Sequence, residues 1–389
     1  MPTGRISDRV KQTESLSLLA VARLAEGLEN VIYLNIGEPD FGTPDHIREA
    51  AKEAISKGYT HYTPDAGIPE LREAIAEKES AKGVDISPEQ VLVTPGSTGG
   101  IYSAVMATVN PGDEVLLADP WYPGYRRAVQ LAGGRLVGIP TRDEEGFSLN
   151  PDVVNELASS GRAKLIIVAS PNNPTGALYS REVLRAIAEI AVDRGLWVLS
   201  DEVYEKFVYE GRKFVSMLEF PGMEEHAIIV NSFSKTYAMT GWRVGYAVGP
   251  KEVIEEMGKV NLATAVCVTS IAQYAALAAL KGPQDCVERM VREYDERRSL
   301  VVRMMRDIPG VKFAKPYGAF YVFPNVEQLG MPSEDLAKFL AREARVVVSP
   351  GYPHFGPGGR GHIRISYSTS KGRLEEAMRR IGEALEKLQ

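Results

Sequence analysis

Apolar residues follow two alternating patterns along the chain. Runs such as VLVT, EVLLA, LIIVA, WVLS and AIIV are short and unbroken, and turns rich in glycine, proline, asparagine or serine close them. Between them lie segments with helical periodicity, at 44–57, at 68–82 and in SREVLRAIAEIAVDRG. Unbroken runs are what strands show when helices cover both faces of a parallel sheet. Strands alternating with helices predict an α/β layered domain. Residues 15–27, SLSLLAVARLAEG, predict a short amphipathic helix with a serine cap and a glycine stop. From about residue 283 the texture changes: a long charged helix, strand-like pieces in AFYVFPNV, ARVVVSPG and GHIRISYSTS, and a closing charged helix. The predicted division is a large α/β domain over 45–283 and a smaller α+β domain built from 1–44 and 284–389, with the long helix bridging the two.

Composition narrows the function classes. A chain of 389 residues is too long for one simple core. Its 44% hydrophobic and 25% charged residues are ordinary for a folded, water-soluble protein. A net charge of −6 argues against a general nucleic-acid binder. The two cysteines lack CxxC spacing and the five histidines are scattered, so neither a metal site nor a disulfide framework is expected. The N-terminus lacks the apolar stretch of a signal peptide, and no 18-residue apolar run exists. A cytoplasmic protein without membrane or nucleic-acid partners is the expectation.

The unusual polar residues fall at strand ends, where open α/β sheets bind ligands. In TPGSTGG, Ser97 and Thr98 open a helix whose free N–H groups suit a phosphate, although a tight strand–helix turn needs the same glycines. In SPNNPTG, Asn173 offers an amide, or forms an ordinary Asn-Pro turn. In VLSDEVYEKF, Asp201 ends an apolar strand, where a carboxylate needs a cationic partner; a helix N-cap is the rival role. Tyr204 follows three residues on, and Glu202 and Glu205 are expected to be solvated. In NSFSKTYAMTGWRVGY, Ser232, Ser234, Lys235 and Arg243 gather two hydroxyls and two cations. The apolar runs on either side predict an enclosed lysine, made nucleophilic by desolvation and neighbouring cations.

A phosphate cradle, a carboxylate able to pair with a ring nitrogen, hydrogen-bonding Asn and Tyr side chains and one activated lysine are together what pyridoxal 5′-phosphate needs. In that reading Lys235 carries the cofactor as a Schiff base.

SPNNPTG, SDEVY and SFSKTYAMTGWRVGY, with NIGEPDFGTP, YTPDAGIPELREAI and HIRISYSTS, resemble the class I/II aminotransferases among fold-type I pyridoxal-phosphate enzymes, of the aspartate, aromatic or alanine type. The resemblance implies a Schiff-base and proton-shuttling role for Lys235 and a pyridine-nitrogen partner in Asp201. It implies that Asn173 and Tyr204 bond the cofactor's phenolic oxygen. Ser97, Thr98, Ser232 and Arg243, assisted by Ser234, would bind the phosphate. Tyr122 falls where the family stacks an aromatic on the cofactor ring, with Trp121 the second choice. Tyr62 matches a tyrosine that reaches the neighbouring subunit's phosphate in a homodimer. Arg364, helped by Gly37 and Asn173, would anchor the substrate carboxylate, for which arginine's planar fork is suited.

The activity implied is transfer of an amino group from an L-amino acid to a 2-oxo acid, 2-oxoglutarate by default, with ping-pong kinetics. The amino donor stays open. Tyr317, Tyr33, Tyr102 and NLATAVCVTS are candidates for shaping its side-chain pocket. A lyase or synthase on the same scaffold is the alternative. A pyridoxal-binding regulator would need an added DNA-binding domain, and a nicotinamide dehydrogenase would need a glycine fingerprint with an acidic residue ~20 positions on.

Overall fold

The unbroken apolar runs pair into one seven-stranded sheet. The computed structural model describes residues 6–13, 23 and 25–388, so the helix expected over 15–27 lies largely outside the described residues. After a short β1 (Ile32–Tyr33), the sheet strands are β2 (Val91–Thr94), β3 (Glu114–Asp119), β4 (Arg135–Pro140), β5 (Ala163–Ala169), β6 (Trp197–Asp201), β7 (Ala227–Ser232) and β8 (Gly245–Val248). Their order is β2-β8-β7-β6-β5-β3-β4. Neighbours from β7 to β4 run parallel, whereas β8 is antiparallel to both β7 and β2. The ends of β7, β6, β5, β3 and β2 therefore share one edge, and the beginning of β8 joins them there. Helices such as Gly96–Thr108 and Arg181–Arg194 cover the two faces, and two separate apolar clusters form on them.

A third cluster belongs mainly to the N- and C-terminal parts, joined by Val203, Tyr204, Phe207 and Tyr209 from the middle of the chain. There β9 (Tyr321–Val322), β10 (Val346–Val347), β11 (Ser349–Pro350) and β12 (Ile363–Ser366) make two small sheets. One has the order β11-β12-β9, and the other pairs β1 with β10. The long helix Asp285–Arg306 links the cores, with Val287 packed in the large one and Met290, Tyr294, Val301 and Met305 in the terminal one. No helix among the described residues is long and apolar enough to cross a membrane.

One expectation is corrected. Glu202 and Glu205 are not solvated; they are 1% and 8% exposed. Lys82 Nζ lies 2.7 Å from Glu202, 2.7 Å from Glu79 and 3.1 Å from Glu205. Lys78 Nζ lies 2.6 Å from Glu205 and 2.8 Å from Glu79. Three carboxylates and two ammonium groups thus interleave beneath the turn that follows β6. The lysines come from the region of helix Pro69–Ser80, far away in sequence, so the local pattern of the turn gave no sign of them.

Removing one cation strands buried carboxylates, which is strongly destabilising. Lys82→Ala is expected to cost about 3–5 kcal/mol, read from the denaturant midpoint; an unchanged midpoint would contradict the pairing.

Candidate active site

Of the thirteen residues given a first-choice cofactor or substrate role from sequence, twelve line one cavity of about 250 Å³ at the common strand edge. They are Gly37, Ser97, Thr98, Tyr122, Asn173, Asp201, Tyr204, Ser232, Ser234, Lys235, Arg243 and Arg364. The exception, Tyr62, is 83% exposed and lies outside it. Tyr125, Thr240 and Tyr321 also line the cavity without having been singled out. Tyr125 sits one helical turn after Tyr122, and Tyr321 alternates with core residues on its strand. Those two spacings are the only sequence signals for them.

Lys235 lies in the short helix Phe233–Thr236 that directly follows β7. Its Nζ donates to the Gly37 carbonyl at 2.6 Å. Burial lowers its pKa to about 8; Glu38 opposes the shift, and the cations Arg364 and Arg243 reinforce it. Asp201 closes β6, with the Tyr125 hydroxyl donating to it at 2.7 Å and the Val203 N–H at 3.2 Å. The second bond is cap-like, but residues 203–206 form a turn rather than a helix. Burial pushes the carboxyl of Asp201 above its ordinary pKa, and these two hydrogen bonds offset part of that. Among the described residues it makes no ion pair of its own, so a protonated nitrogen in the cavity would meet an acceptor ready to ionise.

Ser97 and Thr98 stand in the first turn of the 13-residue helix Gly96–Thr108. The start of β8 presses against that turn: a Cβ at Gly245 would come 2.9 Å from the Ser97 nitrogen. Gly96 has φ +67°, and a Cβ there would come 2.5 Å from Arg243 Nη2. These glycines let Arg243 approach the helix N-terminus. Ser232 Oγ accepts from the Ser234 N–H at 3.0 Å and donates to Ser234 Oγ at 2.8 Å. Free N–H groups, hydroxyls and a guanidinium in one concavity suit a phosphate.

Arg364 projects from β12 and is 1% exposed. It donates to Asn173 Oδ1 at 2.8 Å and to the Asn35 carbonyl at 2.6 Å, while its buried Nε lacks a partner among the described residues. Its guanidinium lies 4.5 Å from the Tyr321 ring centre and 4.9 Å from that of Phe355. Neutral partners and an idle donor describe a cation reserved for an incoming anion, not an edge-strand ion pair. Trp121 turns away from the cavity into the core, leaving Tyr122 as the aromatic lining it. Of the other tyrosine candidates, Tyr317 packs under Arg212 at 3.6 Å and Tyr33 is 45% exposed; with Tyr102, neither lines the cavity.

Comparison with known proteins extends this geometry to the whole chain. The family model for class I and II aminotransferases matches residues 29–381. An aspartate aminotransferase of Pyrococcus horikoshii is 45% identical over 384 residues, covering 98% of this chain and 97% of the relative. An aromatic-amino-acid aminotransferase of Thermococcus litoralis is 43% identical, covering 98% of each. The solved structure of an alanine aminotransferase from Pyrococcus furiosus superposes with a TM-score of 0.93 at 36% identity, covering 98% of this chain and 100% of that one. Transamination is common to all three relatives, which does not favour the lyase or synthase alternative. The chain belongs to the class I and II aminotransferases.

Proposed function

We propose that this enzyme holds pyridoxal 5′-phosphate in the cavity around Lys235 and moves an amino group from an L-amino acid to a 2-oxo acid. The observation that carries the reading is the enclosed Lys235 amine, which among the described residues makes no ion pair, converging with Asp201 and Arg364 on one cavity. When bound, the cofactor supplies an aldehyde that condenses with amines and a ring that withdraws electrons from the carbon bearing nitrogen.

The residues present fit that group. Ser97, Thr98, Ser232 and Arg243 hold its phosphate, with Ser234 steadying Ser232. Asp201 keeps the ring nitrogen protonated, and Tyr125 fixes the orientation of that carboxylate. Asn173 and Tyr204 would bond the phenolic oxygen, and Tyr122 would lie against the ring. Arg364 binds the substrate carboxylate, with Asn173 and the Gly37 backbone beside it. Lys235 Nζ, neutral at mildly alkaline pH, takes the proton from the substrate Cα and returns it during the same half-reaction. Two half-reactions through one cavity give ping-pong kinetics. Residues 45–283 form the large domain, and the described residues of 1–44 and 284–389 the small one. Closure of the small domain brings Arg364 over the substrate and excludes water.

A homodimer fits the same reading. Tyr59, Tyr62, Leu262 and Val266 are 40%, 83%, 48% and 45% exposed. The segments carrying them lie side by side, since Ser270 bonds the Tyr59 carbonyl and Asn261 that of Asp65. Exposed apolar surface of this kind marks an interaction face, and it leaves Tyr62 free to reach a second copy. The donor is an amino acid of the aspartate, aromatic or alanine class, the classes named among the relatives.

Two outcomes follow. Covalent capture of pyridoxal 5′-phosphate by the apoenzyme requires the neutral amine. Its rate, read from visible absorbance, should therefore rise through pH about 8 and level off above it. A rise centred near the ordinary lysine value of ~10.4 would sink the assignment. Arg364→Ala should lower kcat/KM by about 10²–10³-fold, as expected for losing a buried charged partner. Arg364→Lys should restore only part of the loss, because lysine keeps the charge without the fork. Wild-type kinetics in either variant would remove Arg364 from the substrate site.

A further inference from the structure

One side chain touches three parts of the cavity at once. Tyr321 on β9 pairs through its backbone with Ser366 on β12. Residues two apart on a strand share a face, so Arg364 is its diagonal neighbour, and the Arg364 guanidinium sits 4.5 Å from the Tyr321 ring centre. The Tyr321 hydroxyl lies 2.7 Å from the Tyr204 hydroxyl. It also occupies the space beside Gly37, where an added Cβ would overlap it. Both tyrosines are buried.

A phenol carries a single hydrogen, so only one member of the pair donates to the other. Were Tyr204 the donor, its oxygen would face the cavity as an acceptor alone and would repel an anionic oxygen. With Tyr321 as the donor, the hydrogen of Tyr204 is left for the cavity. Filling the cavity decides between them. Among the described residues each of the two hydroxyls has only the other as a hydrogen-bond partner; once the hydrogen of Tyr204 goes to a ligand in the cavity, the buried hydrogen of Tyr321 is satisfied only by donating to Tyr204. Burial raises both phenols above their ordinary range, Tyr204 the further, and the Arg364 cation opposes the shift at both.

We propose that Tyr321 is a positioning residue: it donates to Tyr204 and thereby aims the single hydrogen of Tyr204 at the anionic oxygen of the bound cofactor. The inference rests on the reading of the cavity as a pyridoxal-phosphate site. It also explains why Gly37 has no side chain, since the hydroxyl that orients Tyr204 takes up that space.

The test is a pH titration of the visible absorbance of cofactor-loaded wild type, Tyr321→Phe, Tyr204→Phe and the double variant. A hydrogen bond donated to the anionic oxygen favours the deprotonated form, so losing it raises the midpoint. Tyr321→Phe keeps the ring over Arg364 and should raise the midpoint by ~0.5–1 pH unit, the size of one net hydrogen bond. Tyr204→Phe should raise it at least as far. The double variant should go no further than Tyr204→Phe, because Tyr321 acts only through Tyr204. If Tyr204→Phe moves the midpoint and Tyr321→Phe does not, the inference fails while the cavity reading stands. Additive shifts in the double variant also overturn it. If the wild type takes up no cofactor, or Tyr204→Phe leaves the midpoint in place, the cavity reading itself falls and the inference with it.

Discussion

An enclosed amine whose one hydrogen-bond partner among the described residues is a backbone carbonyl is costly to keep charged, and the site is arranged around that cost. Desolvation favours the neutral form of Lys235, and Arg364 and Arg243 act in the same direction. A carboxylate bonded to the amine would quench it. Glu202 and Glu205, next in sequence to Asp201, are instead held by Lys78 and Lys82. The buried ion network therefore does more than stabilise the turn after β6: it keeps two carboxylates occupied away from the reactive amine. Asp201 alone faces the cavity, and its oxygens are held by Tyr125 and Val203.

The strand directions explain how so many groups converge. The ends of β2, β3, β5, β6 and β7 lie at one edge, and each contributes a different chemistry. The reversed β8 begins at that edge and brings in Arg243, close to the helix Gly96–Thr108. The terminal part supplies the rest. A strap over residues 35–43 joins the two halves. Its Asn35 carbonyl accepts from Arg364, its Gly37 carbonyl from Lys235, its Glu38 carboxylate from Thr240, and its Thr43 from Trp242. Arg364 and Lys235 thus bond to one stretch of backbone.

Much of this was legible in the sequence. Strands buried on both faces read as unbroken apolar runs, and ligand groups gather where those runs end, so Lys235, Asp201, Asn173 and the 96–98 turn stood out. The remainder depends on partners far apart in the chain. Glu202 and Lys82 are separated by 120 residues, and nothing local marks them as a pair. Tyr321 looks like one more apolar position of a strand until β9 is set beside β12. Tyr317, four residues earlier and equally plausible by composition, instead packs beneath Arg212. Proximity in sequence gave the right segment there but not the face.

The central claim is that the Lys235 amine carries the cofactor. It is tested most directly by borohydride reduction of the enzyme saturated with pyridoxal 5′-phosphate, followed by mass mapping of its peptides. The account predicts a pyridoxyl group on the peptide containing Lys235 and on no other lysine. An unmodified Lys235, or label on a different residue, would contradict it.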